Sequence, residues 1–248
     1  MSKIALITGA SSGIGWATAV ALAESGYKLI LCGRREERLK ELSQLVNVDT
    51  LLLVFDVSDK ESVQTAIGSI SDEWKSIDVL VNNAGNAHGL GKIQEGSLED
   101  WDAMIDINVK GLLYVTKAIV PGMVSRASGH VVNIGSVAGK EVYPNGNVYC
   151  GSKHAVDAIN NGMRMDLLGT GVKVSQICPG LVETEFSMVR FKGDAERSKS
   201  VYEGFDALQA EDIADVIQFV VTRPAHVNIA DTLIFPSAQV ASTMVDKK

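Results

Sequence analysis

Thr8-Gly9-Ala10-Ser11-Ser12-Gly13-Ile14-Gly15 follows directly on the apolar run Ile4-Ala5-Leu6-Ile7, and residues 14–25 after it read as a helix closed by Gly26. A strand that enters a helix through glycines brings bare backbone, free N–H groups and the positive end of a helix dipole to one point. Such a point holds a pyrophosphate. The spacing is GxxxGxG, not the more common GxGxxG, so its meaning depends on the strand before it and the helix after it. Gly9, Ser11, Ser12, Gly13, Ile14 and Gly15 are the candidate phosphate-binding residues. The bland alternative is an ordinary glycine-rich turn, and the rest of the chain decides between the two.

Outward from that turn, strand and helix signals alternate. Strands are expected at residues 27–32, 50–55, 77–81, 130–134, 172–177 and 229–235. Helices are expected at 36–46, 60–74, 98–120, 148–168 and 210–221, with Pro121 ending the third of these. The strand runs are apolar throughout, as in parallel strands buried on both faces. The pattern predicts one α/β domain over residues 1–248: a doubly wound, Rossmann-type, mostly parallel seven-stranded sheet with helices on both faces. Residues 183–204 are polar, irregular and broken by Gly193, and are expected to form a lid over a substrate.

The 248 residues are 46% hydrophobic, enough for a substantial core, and the formal net charge of −7 disfavours a nucleic-acid partner. The longest apolar runs are too short to cross a bilayer, and the N-terminus reads as a strand, so no membrane association and a cytoplasmic location are expected. Cys32, Cys150 and Cys178 are scattered and odd in number, and the four histidines do not cluster, so no disulfide framework and no metal site are expected. His154 is expected to be a solvated or partly packed side chain.

Strand two ends in Cys32-Gly33-Arg34-Arg35 rather than in the carboxylate that would hold a ribose 2′-hydroxyl. A carboxylate there repels a 2′-phosphate, whereas guanidinium groups grip one, so Arg34 and Arg35 predict NADP over NAD. Asp56 and Val57 after strand three are suited to an adenine, the first as acceptor for its amine and the second as packing surface. Asn83, Ala84 and Gly85, after Asn82, end strand four at the expected switch point of the sheet and leave room for a cofactor.

Tyr149 and Lys153 stand four residues apart, hence on one face of a helix, and Ser136 ends strand five. A phenol titrates near 10, too high for a base at neutral pH, and a neighbouring ammonium lowers it. Ser136 is placed to orient a substrate oxygen, and Asn108 to anchor a water that links Lys153 to solvent. A chance helix-surface Tyr/Lys pair beside an unrelated serine does not account for the glycine turn upstream.

Taken together, Thr8 to Gly15, Asn82 to Gly85, Asn108, Ser136, Tyr149, Lys153 and Pro179-Gly180 with Thr184 resemble the short-chain dehydrogenase/reductase family along almost the whole chain. The resemblance implies a catalytic tetrad of Asn108, Ser136, Tyr149 and Lys153. It implies that Pro179, Gly180, Val182 and Thr184 lie by the nicotinamide, and it implies a homotetramer built on helices 98–120 and 148–168 and the last strand. Residues 33–39, 139–144 and 183–194 resemble more closely the NADP-dependent 3-hydroxy acid dehydrogenases, whose substrates are of the serine, allo-threonine and 3-hydroxypropionate type. Gly151 and His154 depart from that pattern. Arg190 and Lys192 in the expected lid offer a clamp for a substrate carboxylate. A carbonyl or sugar reductase of the same family, and a cofactor sensor without turnover, are the competing readings. An intact Tyr149/Lys153 pair argues against the sensor.

Overall fold

Ile4-Ala5-Leu6-Ile7-Thr8 is buried along its whole length, as a strand is only when helices cover both faces of its sheet. The computed structural model describes residues 2–248. In chain order these form β1 (Ile4–Thr8), α1 (Gly13–Glu24), β2 (Lys28–Gly33), α2 (Glu36–Leu45), β3 (Thr50–Val54), α3 (Lys60–Gly68) and β4 (Ile77–Asn82). There follow α4 (Leu98–Ile105), α5 (Leu112–Ser125), β5 (Gly129–Ile134), α6 (Asn147–Asp166), β6 (Val172–Pro179), α7 (Phe186–Arg190), α8 (Ala195–Ser200), α9 (Ala210–Val221) and β7 (Asp231–Ile234). A hairpin of β8 (Gln239–Ala241) and β9 (Met244–Val245) follows β7.

The main sheet runs β3-β2-β1-β4-β5-β6-β7 with every pair parallel. The chain winds outward from β1 to one edge, returns to β4 and winds to the other, so the carboxyl ends of β1 and β4 open a crevice between them. Leu22, Leu39, Ile213 and Ile217 fill one face of the sheet, and Val63, Val115, Ile119 and Met123 fill the other.

Several expectations are corrected. β3 is not fully buried: it is an edge strand, and Val54 is 47% exposed because no strand covers its outer side. Pro121 does not end its helix; α5 runs through it to Ser125. Pro121 is exposed, and so is Lys117, whose carbonyl loses its donor, so water can take that donor's place. The break comes earlier, where Asp106–Gly111 form a π-helical turn between α4 and α5. Residues 60–74 split into α3 and a 3₁₀ turn at Asp72–Trp74, and the Asp59 carboxylate caps α3 by accepting from the N–H groups of Glu61 and Ser62. The 183–204 segment is not irregular, since α7 and α8 lie within it. Its ends are stitched together, the Glu183 N–H donating to the Leu208 carbonyl at 2.8 Å and the Leu208 N–H to the Leu181 carbonyl at 3.1 Å.

Candidate active site

The glycine turn is held by its neighbour strand. Thr8 Oγ1 accepts from the N–H groups of Asn83 and Ala84, each at 3.0 Å, and Asn83 Nδ2 donates to the Thr8 carbonyl at 2.9 Å. A Cβ on Gly15 would lie 2.3 Å from the Gly9 carbonyl oxygen and 2.5 Å from Asn83 Nδ2, so only glycine fits there. Gly9 and Gly13 have φ of +67° and +51°. Ser12, which precedes α1, makes no side-chain cap, and the first turn of α1 holds no acidic residue. The first N–H groups of α1 are therefore left for an anion.

At the outer end of the crevice, Arg34 Nη1 lies 3.3 Å from an Asp56 carboxylate oxygen. The Asp56 carboxyl is held below its usual range: burial works to raise it, but the Ser58 N–H and hydroxyl and the Arg34 guanidinium prevail. Arg35 donates through Nε to the Ser11 hydroxyl and through Nη1 to Glu185 at 2.9 Å.

Deeper in, β5 delivers Ser136 and α6 delivers Tyr149 and Lys153. The Ser136 turn rests directly on the helix, since a Cβ on Gly139 would lie 2.7 Å from the Lys153 carbonyl oxygen. All three side chains are buried and line one cleft. Lys153 Nζ donates to the Ile134 carbonyl at 2.9 Å, and burial lowers its pKa to about 8. Burial pushes the Tyr149 phenol upward, against the Ser136 hydroxyl and the Arg190 guanidinium. The lowering expected from Lys153 is thus outweighed within the protein by the cost of a buried phenolate.

Asn108 sits in the π-helical turn and is buried. Its Oδ1 accepts from the Asn86 N–H, and its Nδ2 donates to the Asn86 carbonyl, both at 2.8 Å, and to Ser152 Oγ at 3.0 Å. A Cβ on Gly85 would lie 3.1 Å from Asn108 Oδ1 and 3.6 Å from Lys153 Nζ, so the asparagine and the lysine flank one glycine. Turns of this type recur at functional sites because they release backbone groups from the helical ladder.

The cleft has a volume of about 500 Å³. Among its lining residues are Gly9, Ser11, Ser12, Gly13, Ile14, Arg34, Arg35, Asp56, Val57, Asn83, Ala84 and Gly85 at one end, and Ser136, Tyr149, Lys153, Pro179, Gly180, Val182, Thr184 and Arg190 at the other. Gly15 and Asn108 stand behind the lining. The structure does not bring Lys192 to it: Lys192 has φ of +54° just past α7, and its Nζ pairs with Asp100 at 2.9 Å. Arg190 Nη2 instead donates to the Tyr143 hydroxyl at 2.7 Å.

Tyr143, Phe186, Glu185, Gln239 and Ser242 also line the cleft and were not among the sequence candidates for it. Gln239 Oε1 accepts from the Leu181 N–H at 2.9 Å, and Glu141 accepts from the Ser242 N–H at 2.7 Å, so the β8–β9 hairpin closes the far wall. Nothing local in the sequence announces those long-range contacts. Tyr143 and Phe186 lie within the segments 139–144 and 183–194 that carried the closer resemblance.

The residues present suit a dinucleotide with a 2′-phosphate: the glycine cradle would be filled by any Cβ, the α1 N–H groups are uncapped, and two guanidinium groups stand at the outer end. Comparison with known proteins agrees. A family profile described as short chain dehydrogenase matches residues 3–195. The NADP-dependent 3-hydroxy acid dehydrogenase YdfG of Salmonella typhi is 46% identical over 237 residues, 95% of this chain and 96% of that protein. Sulfoacetaldehyde reductase 2 of Chromohalobacter salexigens is 46% identical over 244 residues, 96% of each chain. The closed form of a serine dehydrogenase complexed with NADP+ superposes with a TM-score of 0.94 at 42% identity, covering 99% of both chains. The glycine cradle, the Ser136–Tyr149–Lys153 cluster and these full-length likenesses lead to one conclusion: the chain belongs to the short chain dehydrogenase family.

Proposed function

We propose that this protein is an NADP-dependent oxidoreductase that reversibly oxidises the hydroxyl of small 3-hydroxy acids of the serine, allo-threonine and 3-hydroxypropionate type. The observation that carries this reading is the meeting of Ser136, Tyr149 and Arg190 on one cleft wall, with Arg34 and Arg35 at the opposite end. A 3-hydroxy acid and sulfoacetaldehyde each carry an anionic group on the carbon next to the one that bears the reacting oxygen. A guanidinium beside the reacting site suits both.

Gly9, Gly13 and Gly15, with the α1 N–H groups, hold the pyrophosphate of NADP. Asp56 and Val57 take the adenine, Arg34 and Arg35 the 2′-phosphate, and Pro179, Gly180, Val182 and Thr184 the nicotinamide end. The bound cofactor supplies the hydride acceptor, a chemistry that side chains lack. Ser136 holds the substrate oxygen, and Tyr149 takes its proton as the carbon is oxidised. Lys153, with a pKa of about 8, exchanges a proton with Tyr149 near neutral pH, and Asn108 links that lysine toward solvent. In the reverse direction the same groups protonate a carbonyl oxygen. The reductase named among the relatives favours that direction as the second reading.

The test is a panel of serine, allo-threonine, 3-hydroxyisobutyrate and simple alcohols with NADP+ and with NAD+, following the absorbance of the reduced cofactor. The reading requires turnover of hydroxy acids with NADP+ preferred; turnover of neutral alcohols alone would favour the second reading. Arg190→Ala should raise KM for hydroxy acids much more than for neutral alcohols, and equal effects would reject the clamp.

As further parts of the same reading, residues 1–248 act as one domain with 183–204 as its lid, in the cytoplasm, as a homotetramer. Leu113 and Val124 on α5, Leu168 after α6 and Leu233 on β7 are exposed apolar side chains and support such packing. Light scattering on the eluted protein measures the subunit number. Among the described residues no helix is long and apolar enough to cross a membrane.

A further inference from the structure

α7 is five residues long, yet its last residue reaches the chemistry. The Arg190 guanidinium carbon lies 5.2 Å from the centroid of the Tyr149 ring. It also lies 5.6 Å from the Tyr143 ring and 5.9 Å from the Phe186 ring, and Phe186 in turn packs on Tyr149 at 5.6 Å between centroids. The Tyr143 hydroxyl and the Gly89 carbonyl accept from it, which fixes the direction in which the charge points. Three aromatic faces therefore hold one lid cation over the catalytic phenol.

We propose that Arg190 tunes Tyr149: the lid brings a second positive charge, besides Lys153, to the ring that must carry the phenolate. This rests on the reading of Tyr149 as the acid–base and deepens it. Arg190 acts through Tyr149 and is a positioning residue in this role, whatever it does for a substrate anion.

The groups that face Tyr149 leave a place for such a cation. From α6 comes Cys150, from the turn after β5 Ser136, from the loop before α6 Tyr143, and from α7 Arg190, while Lys153, one helical turn on from Tyr149, lines the same cleft. The Lys153 ammonium is engaged with the Ile134 carbonyl and titrates at about 8, so its charge fades as pH rises. A guanidinium keeps its charge throughout that range. Burial and Tyr143 disfavour the phenolate, whereas Ser136 and Arg190 favour it. A cation over an aromatic face is attracted by the neutral ring and far more strongly by the phenolate.

The decisive measurement is the pH profile of kcat/KM for oxidation of an uncharged secondary alcohol with saturating NADP+, in wild type, R190Q, R190M and R190K. An anion clamp has nothing to hold in such a substrate. An opposite charge within about 4–6 Å moves a pKa by about 1 unit or more, so R190Q should displace the acid limb to higher pH by about one unit. Below the limb, oxidation is then about tenfold slower in R190Q than in wild type. R190K should return the limb toward wild type. If R190Q does not fold, R190M keeps the unbranched chain against Phe186 and Tyr143 and reads the same displacement. A folded R190Q or R190M with the wild-type limb overturns the proposal, and so does an R190K limb displaced as far as that of R190Q. The ultraviolet titration of tyrosinate, taken as wild type minus Y149F and repeated in the R190Q background, follows the phenol without turnover. If Y149F retains turnover, the acid–base reading fails on its own, and the ultraviolet titration still judges Arg190.

Discussion

Arg35 Nη1 lies 2.9 Å from a carboxylate oxygen of Glu185, across 150 residues of sequence. The same guanidinium holds the hydroxyl and the carbonyl of Ser11, so one side chain joins the second βα turn, the glycine turn and the 183–204 segment. Both partners are about half exposed, and such a pair adds little to stability. Its importance is placement, since Arg35 is held at the mouth where a 2′-phosphate would enter, and that dianion is a stronger partner than Glu185.

Arg35→Gln should therefore lower kcat/KM for NADP+ by roughly 10–100-fold, the value of a hydrogen bond to a charged group. The constants for NAD+ should stay within roughly threefold, since NAD+ offers no phosphate there. Steady-state kinetics with both cofactors measure the ratio. Equal losses with the two would mean that Arg35 only supports the glycine turn.

Tyr149→Phe keeps the ring that packs on Phe186 and removes the hydroxyl proposed to carry the proton. Turnover should fall by roughly 10²–10⁴-fold, the usual share of a positioned acid–base. NADP+ affinity, measured by calorimetry, should hardly change. A variant that turns over normally would place the base elsewhere.

Two glycines should respond in opposite directions to alanine. At Gly15 the new methyl would meet the Gly9 carbonyl oxygen at 2.3 Å, and overpacking of that kind costs roughly 1–3 kcal/mol. At Gly151, exposed on α6, it meets nothing within 4 Å. Helix propensity there favours alanine by about 0.5–1 kcal/mol. Thermal unfolding of G15A and G151A gives both signs; a stabilised G15A would contradict the cradle.

His130 is buried with Nε2 on Ser175 Oγ at 2.8 Å, and burial, helped by Lys173, lowers its pKa from 6.5 to about 3. The unfolded chain takes up a proton as pH falls through 6.5, and the folded protein does not. Stability is therefore complete above that value and is lost progressively toward pH 3. Between about pH 7 and about pH 4.5 this group alone should remove about 2–3 kcal/mol. His130→Gln should lose less over the same interval in urea unfolding. An unchanged slope would assign the acid sensitivity to other groups.

What was legible in the sequence was what neighbours along the chain decide. Tyr149 and Lys153 share a face because they are four apart on a helix, and Gly9, Gly13 and Gly15 gather because a strand turns directly into α1. Short elements escaped: α7 and α8 span five and six residues, too few to show a period. Pro121 misled because the rule that proline ends a helix assumes that the lost carbonyl partner cannot be replaced, and on an exposed face it can.

Arg190 and Lys192 are only two positions apart, and the sequence does not distinguish them. The end of α7 separates them, turning Lys192 to Asp100 while Arg190 stays over Tyr149. Gln239 and Ser242 enter the cleft only because β8 and β9 fold back across the carboxyl end of β6. The direction of the Tyr149 shift is not legible in the sequence for a related reason. A neighbouring ammonium is visible in the spacing, but the desolvation that outweighs it is a property of everything packed around the ring.

The amino-acid sequence alone determined the alternation of strands and helices, the glycine turn and the tyrosine–lysine pair, because each depends on separations of a few residues. The tertiary structure alone decided which of the two cations, Arg190 or Lys192, meets the phenol, which residues wall the cleft and how costly a phenolate is there. Those outcomes depend on through-space distance and on exclusion of water, which exist only once segments far apart in the chain have packed together.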